Sequence, residues 1–214
     1  MTAPELLEPD PQDPTVLRPA GRAADSVHPA PGSASPPPFR GSGGAAGAGG
    51  AMARPTLAFL ASHPAHAIAL GFGSGLARWA PGTVGTLWGW AAFAVLQPWL
   101  NDVQWAVLIG LNLLLGWWAC TVTARHMGQP DSSHMVWDEV VAFWIVLWLL
   151  QPATLGQQAV AFGLFRLFDA VKVGPMAWAD RTFKGFGPRG GFGVMLDDLA
   201  AAFCTLLVLA WWRF

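Results

Sequence analysis

Apolar residues gather into five runs, at about 84–100, 103–122, 139–151, 155–171 and 199–212, and the polar residues are swept into the gaps between them. Runs of roughly 14–20 Leu, Val, Ala and Trp residues predict helices that cross or nearly cross a bilayer, some short against the ideal of about 20. Short spans imply tilt, local thinning or anchored ends. Trp88, Trp99, Trp105, Trp117, Trp118, Trp211 and Trp212 stand near the ends of these runs, where interfacial anchors belong. The expected fold is therefore all-α: an integral membrane bundle of about four to five apolar helices. Before the first run, residues from Thr56 to Leu70 are mildly apolar but interrupted by His63-Pro64 and His66, which predicts one short interfacial or re-entrant helix. From Gly71 to Thr86 the density of Gly and Pro predicts a tight, backbone-exposing loop.

Composition strengthens the membrane reading. The chain has 214 residues, 53% of them hydrophobic and only 12% charged, with thirteen Trp and no Tyr. Its mean hydropathy is +0.40. The net charge of −1 offers no basic field for nucleic acid, so none is expected as a partner. Cys120 and Cys204 sit inside apolar runs and read as small buried hydrophobes, not as a disulfide. Cys120 precedes Arg125 by one residue fewer than the Cys-x5-Arg loop of cysteine phosphatases requires, which argues against a thiolate nucleophile. Residues 1–53 differ in kind: Pro, Ala, Gly and Ser dominate, with Pro36-Pro37-Pro38 and a Gly/Ala run to Gly50. With no apolar periodicity to offset the entropy of ordering, this tail is expected to be disordered. It lacks a basic stretch followed by an apolar one and is no signal peptide. Residues 54–214 form the membrane-embedded domain, and Met52 is a candidate start of translation that N-terminal peptide analysis would test.

The basic residues orient the bundle. If the five runs alternate, the short loops 101–102 and 152–154 share one side and contain no Lys or Arg. The lead-in to Pro81, the loop 123–138 and the loop 172–198 share the other, with Arg78, Arg125, Lys172, Arg181, Lys184 and Arg189. Excess positive charge marks the cytoplasmic side. Every polar motif then faces one compartment.

That side also collects the acids. Asp138 and Glu139 open the third run, Asp169 and Lys172 close the fourth, Asp180 lies beyond, and Asp197 and Asp198 open the fifth. Singly, each has an ordinary use. Asp138 and Asp198 suit helix N-caps, Lys172 suits a helix C-terminus, and Arg166 and Asp169, three apart, suit a local ion pair. Together they are costly, because a carboxylate in an apolar helix costs about 2.5–3.5 kcal/mol on insertion scales and neighbouring acids repel. A divalent cation relieves both problems. Oxygen donors with few imidazoles suit Mg2+; His126 and His134 are the nearby histidines and read as loop residues. The Gly71–Thr86 loop is either a flexible connector or a source of backbone N–H groups for a phosphate, with Gly73, Ser74, Gly75 and Thr83 as the candidates. Metal, carboxylates, lysine and glycine-rich backbone together equip a site for phosphoryl chemistry. A carboxylate would either activate water or attack phosphorus itself.

The motifs Gly73-Ser-Gly-Leu, Pro81-Gly-Thr-Val-Gly-Thr86, Val136-Trp-Asp-Glu139, Phe165-Arg-x2-Asp169-x2-Lys172-x2-Pro175, Asp180-Arg181 and Gly190-Gly-Phe-Gly-Val-Met-Leu-Asp-Asp198, in that order, resemble the phosphatidylglycerophosphatase A family from about Ala67 onward. The resemblance implies a Mg2+-dependent phosphatase of the bacterial inner membrane, multi-pass, acting at the cytoplasmic face. It would convert phosphatidylglycerophosphate to phosphatidylglycerol and phosphate. Carried over by motif, Asp138, Glu139, Asp169, Lys172, Asp180, Asp197 and Asp198 become the expected catalytic residues, with Asp138, Glu139, Asp169, Asp197 and Asp198 as metal ligands and Lys172 on the phosphate. Two departures stand out: Lys172-Val-Gly-Pro175 where the family reads Lys-Pro-x-Pro, and extra residues around Lys184-Gly-Phe-Gly-Pro, which leave Lys184 and Arg189 outside the expected set. The tail has no family counterpart. A cation transporter or channel is the rival from another class, and it predicts acids near mid-span instead of at helix ends. A CDP-alcohol phosphotransferase is disfavoured because its Asp-x2-Asp-Gly-x2-Ala-Arg pattern is absent.

Overall fold

A computed structural model describes residues 54–171 and 187–213. The tail expected to be disordered, and the candidates Lys172 and Asp180, lie outside the described residues. Among the described residues all regular structure is helical: α1 (Leu57–Ala61), α2 (Pro64–Ala69), a 3-10 segment (Gly71–Leu76), α3 (Pro81–Leu96), α4 (Asp102–Met127), α5 (Trp137–Leu150), α6 (Leu155–Val171) and α7 (Pro188–Arg213).

The short helix expected before Leu70 is in fact two. Thr56 caps α1, its Oγ1 accepting from Phe59 N–H at 3.2 Å. Pro64, which has no N–H to give, opens α2, and the His63 ring accepts from Ala65 N–H at 3.1 Å. Docking to α4 joins an apolar cluster, Ala65 and Ala69 against Ala119, Cys120 and Ala124, to a polar contact. The His66 Nδ1–H donates to Phe59 C=O at 2.9 Å, which leaves Nε2 to accept from His126 Nδ1–H at 2.7 Å. The Gly/Pro loop is more structured than its composition suggests. It closes in a 3-10 segment, and α3 begins at Pro81, ahead of the expected 84, after Ala80 takes a left-handed conformation with φ 44°. Downstream, α4 opens on a reciprocal cap between Asn101 and Gln104 and ends at Gly128, whose φ of 67° suits glycine.

The core lies around α5. Ten of its fourteen residues are buried, with α3 and α7 packed most closely and α4 and α6 completing the ring. Trp105 is not an interfacial anchor: it is 1% exposed and stacks on Phe93 at 4.5 Å. Trp99, Trp211 and Trp212 are well exposed, as anchors should be. Cys120 is buried, and neither it nor Cys204 is in a disulfide.

Two helices are long and apolar enough to cross a membrane: α4, with 26 residues, and Pro188–Trp212 of α7, with 25. The others run 16, 14 and 17 residues, or about 21–26 Å at 1.5 Å per residue, short of a hydrocarbon layer of about 30 Å. By length and composition, then, two of the apolar helices are long enough to cross. The largest departure is α7. It begins at Pro188 instead of near residue 199, so Gly190-Gly-Phe-Gly193 is helical and Asp197 and Asp198 lie in its third turn. Packing overrides the glycines' weak helix propensity: a side chain at Gly191 would collide with Thr121 Oγ1 and lie 3.2 Å from Thr121 Cα on α4.

A candidate active site between short and long helices

Five of the acids nominated by the sequence line one cavity of about 640 Å³: Asp138, Glu139, Asp169, Asp197 and Asp198. They come from three helices. Asp138 and Glu139 are in the first turn of α5, Asp169 lies near the end of α6, and Asp197 and Asp198 project from α7. Asp138, Asp197 and Asp198 are 4%, 7% and 5% exposed. Asp169 and Asp198 stand within hydrogen-bonding reach of each other.

Of the capping roles open to Asp138 and Asp198, Asp138 keeps a first-turn contact and Asp198 has none. Val136 is the N-cap of α5 and gives no side-chain cap, while Asp138 Oδ1 accepts from Glu139 N–H at 3.0 Å. Asp198 lies well inside α7 and has no free helix end to serve. The local ion pair of Arg166 with Asp169 is present at 2.8 Å, but the same Nη1 also reaches Glu139 Oε1 at 3.1 Å, joining α6 to α5.

Of the candidates in the glycine-rich loop, Gly73, Ser74, Gly75 and Thr83 are not in the cavity wall; Ala80, Pro81 and Gly82 are. Ser74 Oγ donates back to Gly71 C=O at 2.9 Å. Gly75 is pressed against the His134 carbonyl, and the His134 ring donates to Gly75 C=O at 2.6 Å. These residues brace the α4–α5 loop. Gly82 packs against the Glu139–Arg166 pair, which leaves no room for a β-carbon.

Sequence reasoning gave Arg166 only a local role and did not single out Asp131, Ser132 or Ser133, which also line the cavity. The signal for Arg166 was available: a cation between Phe165 and Leu167 in an apolar run needs a partner. Asp131, in a polar loop, carried no such signal.

Among the described residues the wall thus holds six carboxylates, two hydroxyls and one guanidinium, with no His or Cys. Hard oxygen donors are what Mg2+ takes, and it commonly uses one or two carboxylates and completes its shell with water and phosphate oxygens. As they stand, no three His, Cys, Asp or Glu residues among those described form a closed cage. A two-carboxylate site needs none, so the donor chemistry fits.

Fold and cavity define a helical-bundle protein with its chemistry recessed among buried acids. The model of the family described as Phosphatidylglycerophosphatase A matches residues 67–213, and the chain belongs to that family. It is 36% identical over 150 residues to the Escherichia coli K12 protein named Phosphatidylglycerophosphatase A, covering 69% of this chain and 83% of that one. The Haemophilus influenzae protein of the same name is 37% identical over 147 residues, covering 69% and 87%. A Bacteroides thetaiotaomicron protein named Putative phosphatidylinositol-3-phosphatase is 37% identical over 150 residues, covering 67% and 89%. No solved structure matches. Family membership makes this chain a phosphatase, a hydrolase of phosphate esters.

Proposed function

We propose that the chain hydrolyses phosphatidylglycerophosphate to phosphatidylglycerol and phosphate, with Mg2+, at the cytoplasmic face of a bacterial inner membrane. The observation that carries this reading is the meeting of five separately nominated carboxylates in one cavity of about 640 Å³. The names of two relatives supply the substrate. A third relative, named for a phosphoinositide, supports the wider class of lipid phosphomonoesters.

Asp169 and Asp198, already within reach of each other, would hold the ion, with Asp197, Asp138 and Glu139 beside them. Bound there, Mg2+ would supply positive charge against the phosphoryl oxygens. One carboxylate accepts the proton of a water that attacks phosphorus; the P–O bond to glycerol breaks, and the departing alkoxide takes up the proton that the carboxyl group now carries. Lys172 and Asp180, which follow α6 in sequence, are retained from the motif alone as phosphate contact and polar support. The apolar flanks of α4 and α7 suit acyl chains, and two helices of spanning length support membrane residence. Multi-pass topology and the cytoplasmic placement rest on the distribution of basic residues: Arg78, Arg125 and Arg189 fall at the cavity end, and neither Lys nor Arg occurs in residues 97–102 or 151–154.

The test is phosphate release by the purified protein from phosphatidylglycerophosphate and other lipid phosphates in mixed micelles, with Mg2+ and with chelator. Release from phosphatidylglycerophosphate that disappears with chelator and returns with Mg2+ is expected. No release from any lipid phosphate would refute the proposal.

A further inference from the structure

Arg166 is the one cation lining the acidic cavity among the described residues. Both of its ion pairs, to Asp169 Oδ2 at 2.8 Å and Glu139 Oε1 at 3.1 Å, and its 3.4 Å contact with Thr86 Oγ1, use a single nitrogen, Nη1. Nη1 therefore makes the closest approach to all three partners. The other terminal nitrogen, Nη2, lies beside Gly82, where an added β-carbon would be 2.9 Å away. A guanidinium used only to balance Glu139 and Asp169 would present both terminal nitrogens to the carboxylates, since the fork geometry favours two parallel bonds. Here the closest contacts are all made by one prong, and the other lies next to Gly82, itself a cavity-lining residue.

We infer that Arg166 is a substrate-binding residue: Nη1 is fixed by Glu139 and Asp169 so that Nη2 can donate to a non-bridging oxygen of the ester phosphate. The inference rests on the phosphatase reading above and adds to it a phosphate contact that the sequence did not assign. The chemistry supports it on two counts. A phosphate dianion entering a wall of six carboxylates needs a cation to offset repulsion, and a guanidinium keeps its charge whatever its surroundings. Being already anchored, the side chain gives up little rotamer freedom when substrate arrives. The same contact would persist with the released phosphate, so orthophosphate should compete.

The experiment compares wild type with Arg166→Lys and Arg166→Gln in mixed micelles. It measures KM for phosphatidylglycerophosphate, competitive inhibition by inorganic phosphate, and the Mg2+ concentration giving half-maximal rate. Lysine keeps one charged nitrogen for the carboxylates but has no second prong. For Arg166→Lys, KM and the orthophosphate inhibition constant are expected to rise together by about 10- to 100-fold, the usual loss for one charge-assisted hydrogen bond, while the Mg2+ requirement stays put. Unchanged orthophosphate inhibition overturns the inference, as does a change confined to the Mg2+ requirement, because either leaves Arg166 a brace for the acids. Loss of folded protein in both variants, judged by gel filtration, counts the same way. Wild-type protein that hydrolyses no lipid phosphate refutes the underlying reading instead, so the two failures are distinguishable.

Discussion

Gly82→Ala separates the geometry of the site from the stability of the fold. Gly82 is the second residue of α3, and alanine there is worth up to about 1 kcal/mol in helix propensity, so the helix itself has no reason to weaken. The new methyl would overlap Glu139 Oε1 and lie 2.8 Å from Glu139 Oε2 and 2.9 Å from Arg166 Nη2. Comfortable non-bonded separations are about 3.5 Å, so the carboxylate and guanidinium must retreat by roughly an ångström. Both are the ends of long side chains, and retreat costs the fold little. Catalysis is less tolerant, because a misplacement of about 1 Å at a reacting centre can cost on the order of 100-fold. Phosphate release from phosphatidylglycerophosphate should therefore fall by about that factor, while the thermal midpoint stays within a few degrees of wild type. An alanine variant with full kcat/KM would refute the reasoning, for it would show that the Glu139–Arg166 pair can move freely without consequence. Loss of the thermal transition would refute it from the other side, by making Gly82 a packing residue.

Further outcomes follow from neighbouring geometry. Asp169→Asn, which removes a carboxylate shared between Arg166 and the proposed metal, should lower turnover at least ~10–100-fold, and retained turnover in the lipid assay would remove it from the machinery. Gly191→Ala places a methyl against Thr121 of α4; overpacking of this kind costs about 1–3 kcal/mol and should lower the thermal midpoint in detergent. Burial, followed by the charges of His126 and His63, pushes the pKa of His66 below its ordinary 6.5. Below about pH 6.5 the unfolded chain then binds the proton more readily than the folded one, so this contribution is intact above pH 6.5 and lost as pH falls. Melting at pH 7.5 and pH 5.5 should show a drop that shrinks in His66→Gln; an equal drop in both would assign the pH dependence elsewhere.

The acids were legible because they are rare. In a chain with 12% charged residues, a carboxylate beside an apolar run demands a reason, and five of the six that line the cavity stood out on that ground. Their convergence was legible only through the alternation of helices, which brings the starts of α3 and α5 and the end of α6 to one end of the bundle. What pattern alone could not give was the role of glycine. Composition reads Gly71–Gly75 and Gly190–Gly193 alike as loop, yet the first closes a 3-10 turn against His134 and the second is helix pressed onto α4. The difference is tertiary: a missing side chain at Gly191 permits close approach of two helices, and local propensity does not record a neighbour 70 positions away. The same limit hid Arg166, whose contact with Glu139 crosses from α6 to α5.

The unequal helix lengths account for the cavity itself. Between Pro188 and Asp197 α7 rises about 14 Å, at 1.5 Å per residue, so the two aspartates lie well below the start of their helix. Beside them α5 only begins at Trp137, and Gly116 of α4 meets the Trp137 ring eleven residues short of that helix's end at Met127. The central helix therefore starts well below the start of α7, and the cavity at its N-terminus is lined by the starts of α3 and α5, the end of α6, the first turns of α7 and residues of the α4–α5 loop. Burial of acids at that depth would suit a transported ion as well as a bound one, which is where the transporter alternative draws its support. The far end of the bundle argues against a pathway: α5 is packed from Val140 to Leu150 with buried Val, Phe, Trp and Leu, and the small cavity at Leu150, Gln157, Leu209 and Trp212 contains no charged group. A recess that is acidic at one mouth and floored by a hydrophobic core offers an ion no second exit among the described residues.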